Sequence, residues 1–129
     1  MGEFIKLKPE FIKPSQNFLK KETLNFILDC YKKRKLDSLP PTPIVRKDPH
    51  NNGLYIAIDG HNLLAANELY HTECEVYVAD SANDYLPNPK NLPSISQRNK
   101  DLSDKFDTCV TEANRIHCSF TTRIKDYLI

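Results

Sequence analysis

Residues Ile58-Asp59-Gly60-His61-Asn62-Leu63-Leu64-Ala65 constrain this chain most, because an apolar β-like run ends in Asp-Gly and passes at once into an apolar helical pattern. Gly60 can take backbone angles closed to other residues, so the reversal from strand to helix falls there. The peptides that follow begin a helix, whose first N–H groups lack intrahelical acceptors and attract anions. The segment therefore points to an edge that binds phosphate or carboxylate, with Asp59 and His61 beside it.

The neighbouring residues extend this strand-turn-helix unit. Leu54 to Ile58 is an almost unbroken apolar strand of the kind buried on both faces. Before it, Pro40-Pro41-Thr42-Pro43 stops any helix and leads into Ile44-Val45-Arg46-Lys47, whose β-branched pair reads as a strand. Asp48 to Gly53 is a turn, so the two strands form a hairpin that delivers Asp59 to an edge. After it, Leu63, Leu64, Ala66 and Leu69 mark the buried stripe of a short helix ended by Tyr70-His71-Thr72, and Cys74 to Val78 resumes strand alternation.

The two ends of the chain are less regular. Phe4 to Leu7 alternates as a short edge strand, and from about Phe18 to Leu36 the residues Leu24, Ile27, Leu28 and Tyr31 recur at helical spacing. The Lys32-Lys33-Arg34-Lys35 run closing that helix suits a helix C-terminus and needs no nucleic-acid partner to explain it. Asp80 to Pro93 is irregular. Leu102, Phe106, Val110, Ala113, Phe120, Ile124 and Leu128 then mark a long helical stretch, with a break expected near Cys118 to Thr122. The expected architecture is a small α+β domain with a mixed sheet over residues 1–96 and a C-terminal helical extension over 97–129 packed on it.

Composition excludes several classes. The 129 residues suffice for one domain with a core, and no apolar run approaches the length of a membrane span. With 18 basic and 17 acidic residues, DNA binding would need a local basic patch. The first residues show neither a signal peptide nor a myristoylation signal, so a cytoplasmic location is expected. Cys30, Cys74, Cys109 and Cys118 are spaced too widely and unevenly for a zinc site or a secreted disulfide scaffold and read as core thiols.

Pro43-Ile44-Val45-Arg46, then Gly53 through Asp59-Gly60-His61, then Ala65-Ala66 and the strand at Glu75 to Val78, resemble in that order the ParB/sulfiredoxin-like superfamily. The resemblance covers about residues 4–80 and implies a nucleotide pocket at the glycine turn. The family includes CTP-binding partition proteins, ATP-using sulfiredoxins and free-serine kinases, so fold alone does not select a function. Its frequent Gly-x-x-Arg reads here as Gly60-His61-Asn62-Leu63, and an isobutyl group cannot make a guanidinium's phosphate contacts. His61 stands at the reactive cysteine of sulfiredoxin, which argues against sulfinic-acid reduction. The Asp-Gly-His order looks closest to the free-serine kinase branch.

The resemblance makes Asp59 and His61 the expected catalytic pair, with Asp59 holding Mg²⁺ and Gly60, His61 and Asn62 contacting the ligand; Arg46, which with Lys47 closes the proline-led strand, is expected from the topology to reach the same pocket edge. Arg46 would partly replace the missing arginine's charge. Taken alone, the Asp-Gly turn favours Asp59 as a helix cap, while His61 reads equally as a solvated side chain; the resemblance brings the two readings of Asp59 level. The leading expectation is binding of a nucleotide (ATP, ADP or CTP) or another phosphate-bearing ligand, with kinase- or nucleotidase-like phosphoryl transfer in view. The alternative is a catalytically degenerate interaction module, dimerising through the C-terminal helices.

Overall fold

The structure, a computed structural model, describes residues 1–87, 95–116 and 120. It is an α+β fold built on one mixed five-stranded sheet. The strands are β1 (Glu3–Leu7), β2 (Ile12–Lys13), β3 (Ile44–Lys47), β4 (Tyr55–Asp59) and β5 (Cys74–Ala79), in the spatial order β1-β5-β3-β4-β2. The helices are α1 (Lys21–Lys32), α2 (His61–Leu69), α3 (Ile95–Lys105) and α4 (Thr108–Ile116).

The expected hairpin is present, with β3 antiparallel to β4 and a register shift between Ile44 and Val45 that pairs Ile44 with Asp59. β3 also runs parallel to β5, which places it at the centre, while β1 lies antiparallel to β5 on the outside. Strand alternation divides the core in two. Val45, Ala57, Val76 and Val78 face one side, where α1 and α2 supply Leu24, Ile27, Leu63, Leu64 and Ala65. Ile44, Ile56, Ile58 and Tyr77 face the other, against Leu102 of α3 and Cys109 and Ala113 of α4. The C-terminal helices thus close the second face of the sheet.

On the first face α1 and α2 lie side by side in the same direction. Near their starts the Lys20 N–H donates to Asn62 Oδ1 at 3.0 Å, and near their ends the Tyr31 and Tyr70 rings meet edge to face at 5.4 Å. Both helices end in the same hydrogen-bond pattern. Lys35 N–H reaches Cys30 O and Arg34 N–H reaches Tyr31 O; Thr72 N–H reaches Asn67 O and His71 N–H reaches Glu68 O. These are Schellman motifs, and the left-handed position that usually holds glycine is filled by Arg34 (φ 56°) and His71 (φ 54°).

Several boundaries differ from those expected. α1 is shorter than the helical pattern, starting after Leu19 and followed by a 3-10 turn at Leu36–Ser38. Leu69 is exposed rather than part of the buried stripe of α2, because the helix ends there and turns away from the sheet. The C-terminal helical stretch breaks between Lys105 and Thr108. The break expected at 118–122 lies outside the described residues apart from Phe120, which sits in a turn. Phe120 is buried and joins the α1/α2 side of the core. Ile124 and Leu128 lie outside the described residues. Strand β2, only two residues long and parallel to β4, has no counterpart in the sequence pattern.

Cys30, Cys74 and Cys109 are buried free thiols, and burial pushes the Cys74 thiol up to about 12. Cys118 lies outside the described residues. Among the described residues no helix is long and apolar enough to cross a membrane.

Two buried carboxylates fasten the connections. Asp48 accepts from Lys13 Nζ (2.8 Å), His50 N–H (2.9 Å) and Asn51 Nδ2 (2.9 Å), which ties the hairpin turn to β2. Asp84 accepts from the N–H groups of Gly2 (2.9 Å) and Tyr85 (2.7 Å) and from the Tyr77 hydroxyl (3.0 Å). It thereby fastens the loop after β5 to the start of β1.

Candidate functional site

The Asp59-Gly60-His61 turn lies where β4 hands over to α2. Gly60 adopts φ 91° and ψ 27°, and a Cβ there would come within 2.7 Å of Pro43 Cβ. Two constraints therefore require glycine, the left-handed backbone and the close approach of the proline-led entry to β3.

The side chains of the turn leave it in three directions. Asp59 points toward α3: its Oδ1 accepts the Gly60 N–H at 2.9 Å and its Oδ2 meets Arg98 Nε at 3.1 Å. Arg98, whose side chain is only 10% exposed, also donates through Nη2 to the carbonyl of Thr42. One guanidinium thus ties α3 to the end of β4 and to the proline segment. Asp59 does not cap α2, whose N-cap Gly60 has no side-chain partner.

His61 points inward and is 4% exposed. Its Nε2 accepts the Ser15 N–H at 3.0 Å, while the Ser15 hydroxyl, 3.4 Å from the same nitrogen, donates to Ala57 O at 2.6 Å. A backbone N–H can only donate, so Nε2 carries the lone pair and the ring proton resides on Nδ1. Burial pushes the imidazole down to about 4, opposed by the Asp59 carboxylate and assisted by Lys105. At neutral pH His61 is an uncharged acceptor joining α2 to the segment after β2, with its ring 5.9 Å from that of Phe120.

Asn62 uses its side-chain oxygen on Lys20 at the start of α1. Leu63, at the position where the resemblance would place an arginine, is 7% exposed and packs in the α1/α2 core. Arg46 lies away from the turn. It donates through Nη1 to Phe106 O at 2.8 Å, and its guanidinium carbon sits 4.0 Å from the centre of the Phe106 ring, pinning the corner between α3 and α4.

Asp59, Gly60, His61 and Asn62 are thus adjacent in sequence but do not converge on one point. Two residues that shape the turn carried no sequence signal, Arg98 and Ser15, which arrive from 39 and 46 positions away. Mg²⁺ prefers several oxygen ligands in octahedral geometry. Among the described residues no group of three or more His, Cys, Asp or Glu side chains could hold a metal, and Asp59 already faces a guanidinium. This donor set does not fit the ion.

Compared with family models, curated proteins and solved structures, the chain matches none.

Proposed function

We propose that this chain is a non-catalytic protein-interaction domain in which the Asp59-Gly60-His61 turn serves as an internal clasp. One observation carries this reading: both side chains suited to acid-base work are committed within the protein, His61 to Ser15 and Asp59 to Gly60 and Arg98. A general acid or base must reach the proton it moves, and a buried neutral imidazole whose acceptor nitrogen is occupied does not. The order of elements that resembles ParB/sulfiredoxin-like domains suits a domain that keeps the frame of a nucleotide pocket and fills the arginine's place with a core leucine. Exposed apolar side chains, among them Phe26 at 51% and Tyr85 at 60%, supply surface for partners.

A second reading, binding of a phosphate-bearing ligand at the turn, is favoured by the cations gathered there. Arg98 borders Asp59, and Lys105 is near enough to lower the basicity of His61. Thermal unfolding against ATP, ADP, CTP, GTP and free serine, each with and without Mg²⁺, separates the two, because a ligand selective for the folded state raises the transition temperature. The interaction reading expects no shift. A reproducible shift abolished by Asp59→Ala overturns it in favour of the ligand.

A further inference from the structure

We propose that the open edge of β1 is a self-association surface, on which a second copy of this chain lays its own β1 antiparallel and centred on Ile5. The inference rests on the interaction reading and names one partner for it.

Among the described residues β1 pairs only with β5, so one side of the strand lacks a neighbour. The direction of its main-chain groups follows from the sheet. Directly opposite residues in an antiparallel pair either exchange both their hydrogen bonds or both turn away. Phe4 lies opposite Tyr77, and the Tyr77 N–H bonds to Pro43 O at 2.9 Å on the far side of β5. Phe4 and Lys6 therefore turn their N–H and C=O groups to the open edge, while Glu3, Ile5 and Leu7 face β5. The N–H of Gly2 is already held by the Tyr77 hydroxyl at 3.0 Å and by Asp84 at 2.9 Å.

Three two-fold registers bring these outward groups together, centred on Phe4, Ile5 or Lys6. Centring on Phe4 would call on the N–H of Gly2, which is taken. Centring on Lys6 would set two ammonium groups opposite one another, which is repulsive. Centring on Ile5 pairs Phe4 of each copy with Lys6 of the other and satisfies all the outward groups of both residues. It also places each ammonium beside the ring of Phe4, which is 45% exposed, on one face of the sheet. The opposite edge offers no such template, since β2 has two residues and is followed directly by Pro14. Within its span β1 carries neither a proline nor a register shift.

Sedimentation velocity of the full chain from micromolar to millimolar concentration tests the proposal. A monomer-dimer equilibrium is expected, weakened at least about tenfold by Lys6→Pro, which deletes an N–H that β5 does not use. Phe4→Lys should weaken it equally by opposing like charges, and the double variant Phe4→Lys/Lys6→Glu should restore it. Unchanged far-ultraviolet circular dichroism identifies variants that keep the monomer fold; should Lys6→Pro lose it, the charge-exchange pair decides. A wild-type chain that stays monomeric throughout, or a dimer indifferent to these changes, overturns the proposal. Neither result bears on the turn, which the nucleotide titration judges separately.

Discussion

Arg98 of α3 and Asp59 at the end of β4 stand with Nε 3.1 Å from Oδ2, and through this pair the C-terminal helices hold the turn that begins α2. Removing the guanidinium leaves Oδ2 of the partly buried Asp59 carboxylate and the Thr42 carbonyl without this donor. Arg98→Ala should lower unfolding free energy by about 1–3 kcal/mol, discounted because Asp59 is partly solvated. In urea titrations Arg98→Ala combined with Asp59→Ala should cost less than the sum of the single changes. Strict additivity would show that the two side chains do not act together.

His61 makes stability depend on pH in one direction. Its folded value of about 4 lies below the unfolded value of 6.5, so between them the unfolded chain binds the extra proton. The contribution is whole above pH 6.5 and is lost as pH falls toward 4, for a total of about 3 kcal/mol. Chemical denaturation at stepped pH should show this slope, and His61→Gln, which keeps an acceptor but cannot titrate, should flatten it.

Asp48 acts in a lower window. Burial pushes its carboxyl up, but Lys13, the His50 N–H and Asn51 together outweigh burial and bring it to about 2, below its ordinary 3.8. Its contribution is whole above pH 4 and disappears as pH falls from 3.8 to 2. Asp48→Asn should remove about 1–2 kcal/mol at neutral pH and leave less to lose in acid. An unaltered acid transition in this variant would place the lability elsewhere.

The two helix ends that put bulky residues at φ near 55° invite a stabilising change. His71→Gly should relieve the left-handed strain and raise stability by about 0.5–1 kcal/mol, net of the greater freedom that glycine gives the unfolded chain. A lower thermal transition for this variant would mean that the His71 side chain makes a compensating contact.

What could be read from the sequence was local. The β-branched and aliphatic runs at Ile44-Val45 and Tyr55 to Ile58 announce their strands, and the turn residues between them announce the hairpin. Gly60 announces the reversal, since few residues tolerate its backbone angles. Ile12-Lys13 has too few residues to show any period, and its strand exists only because β4 offers an edge. The helix break at Phe106-Asp107 carries no glycine or proline, and Arg46 of β3 marks it by a contact distant in sequence. Arg98 and Ser15 look like ordinary polar residues until the fold brings them to Asp59 and His61. Pairings over such separations are set by tertiary packing, which no window of sequence contains.

The strand order also governs how the chain must be made. Glu3 pairs with Val78 and Leu7 with Cys74, so the earliest made of the five described strands has its only described neighbour in the latest made of them. At cellular rates of synthesis the interval is roughly 4–15 s, far longer than local helix formation takes. During that time Phe4 and Ile5 lack the β5 partner that they have in the folded sheet. The sheet is completed only when β5 has emerged.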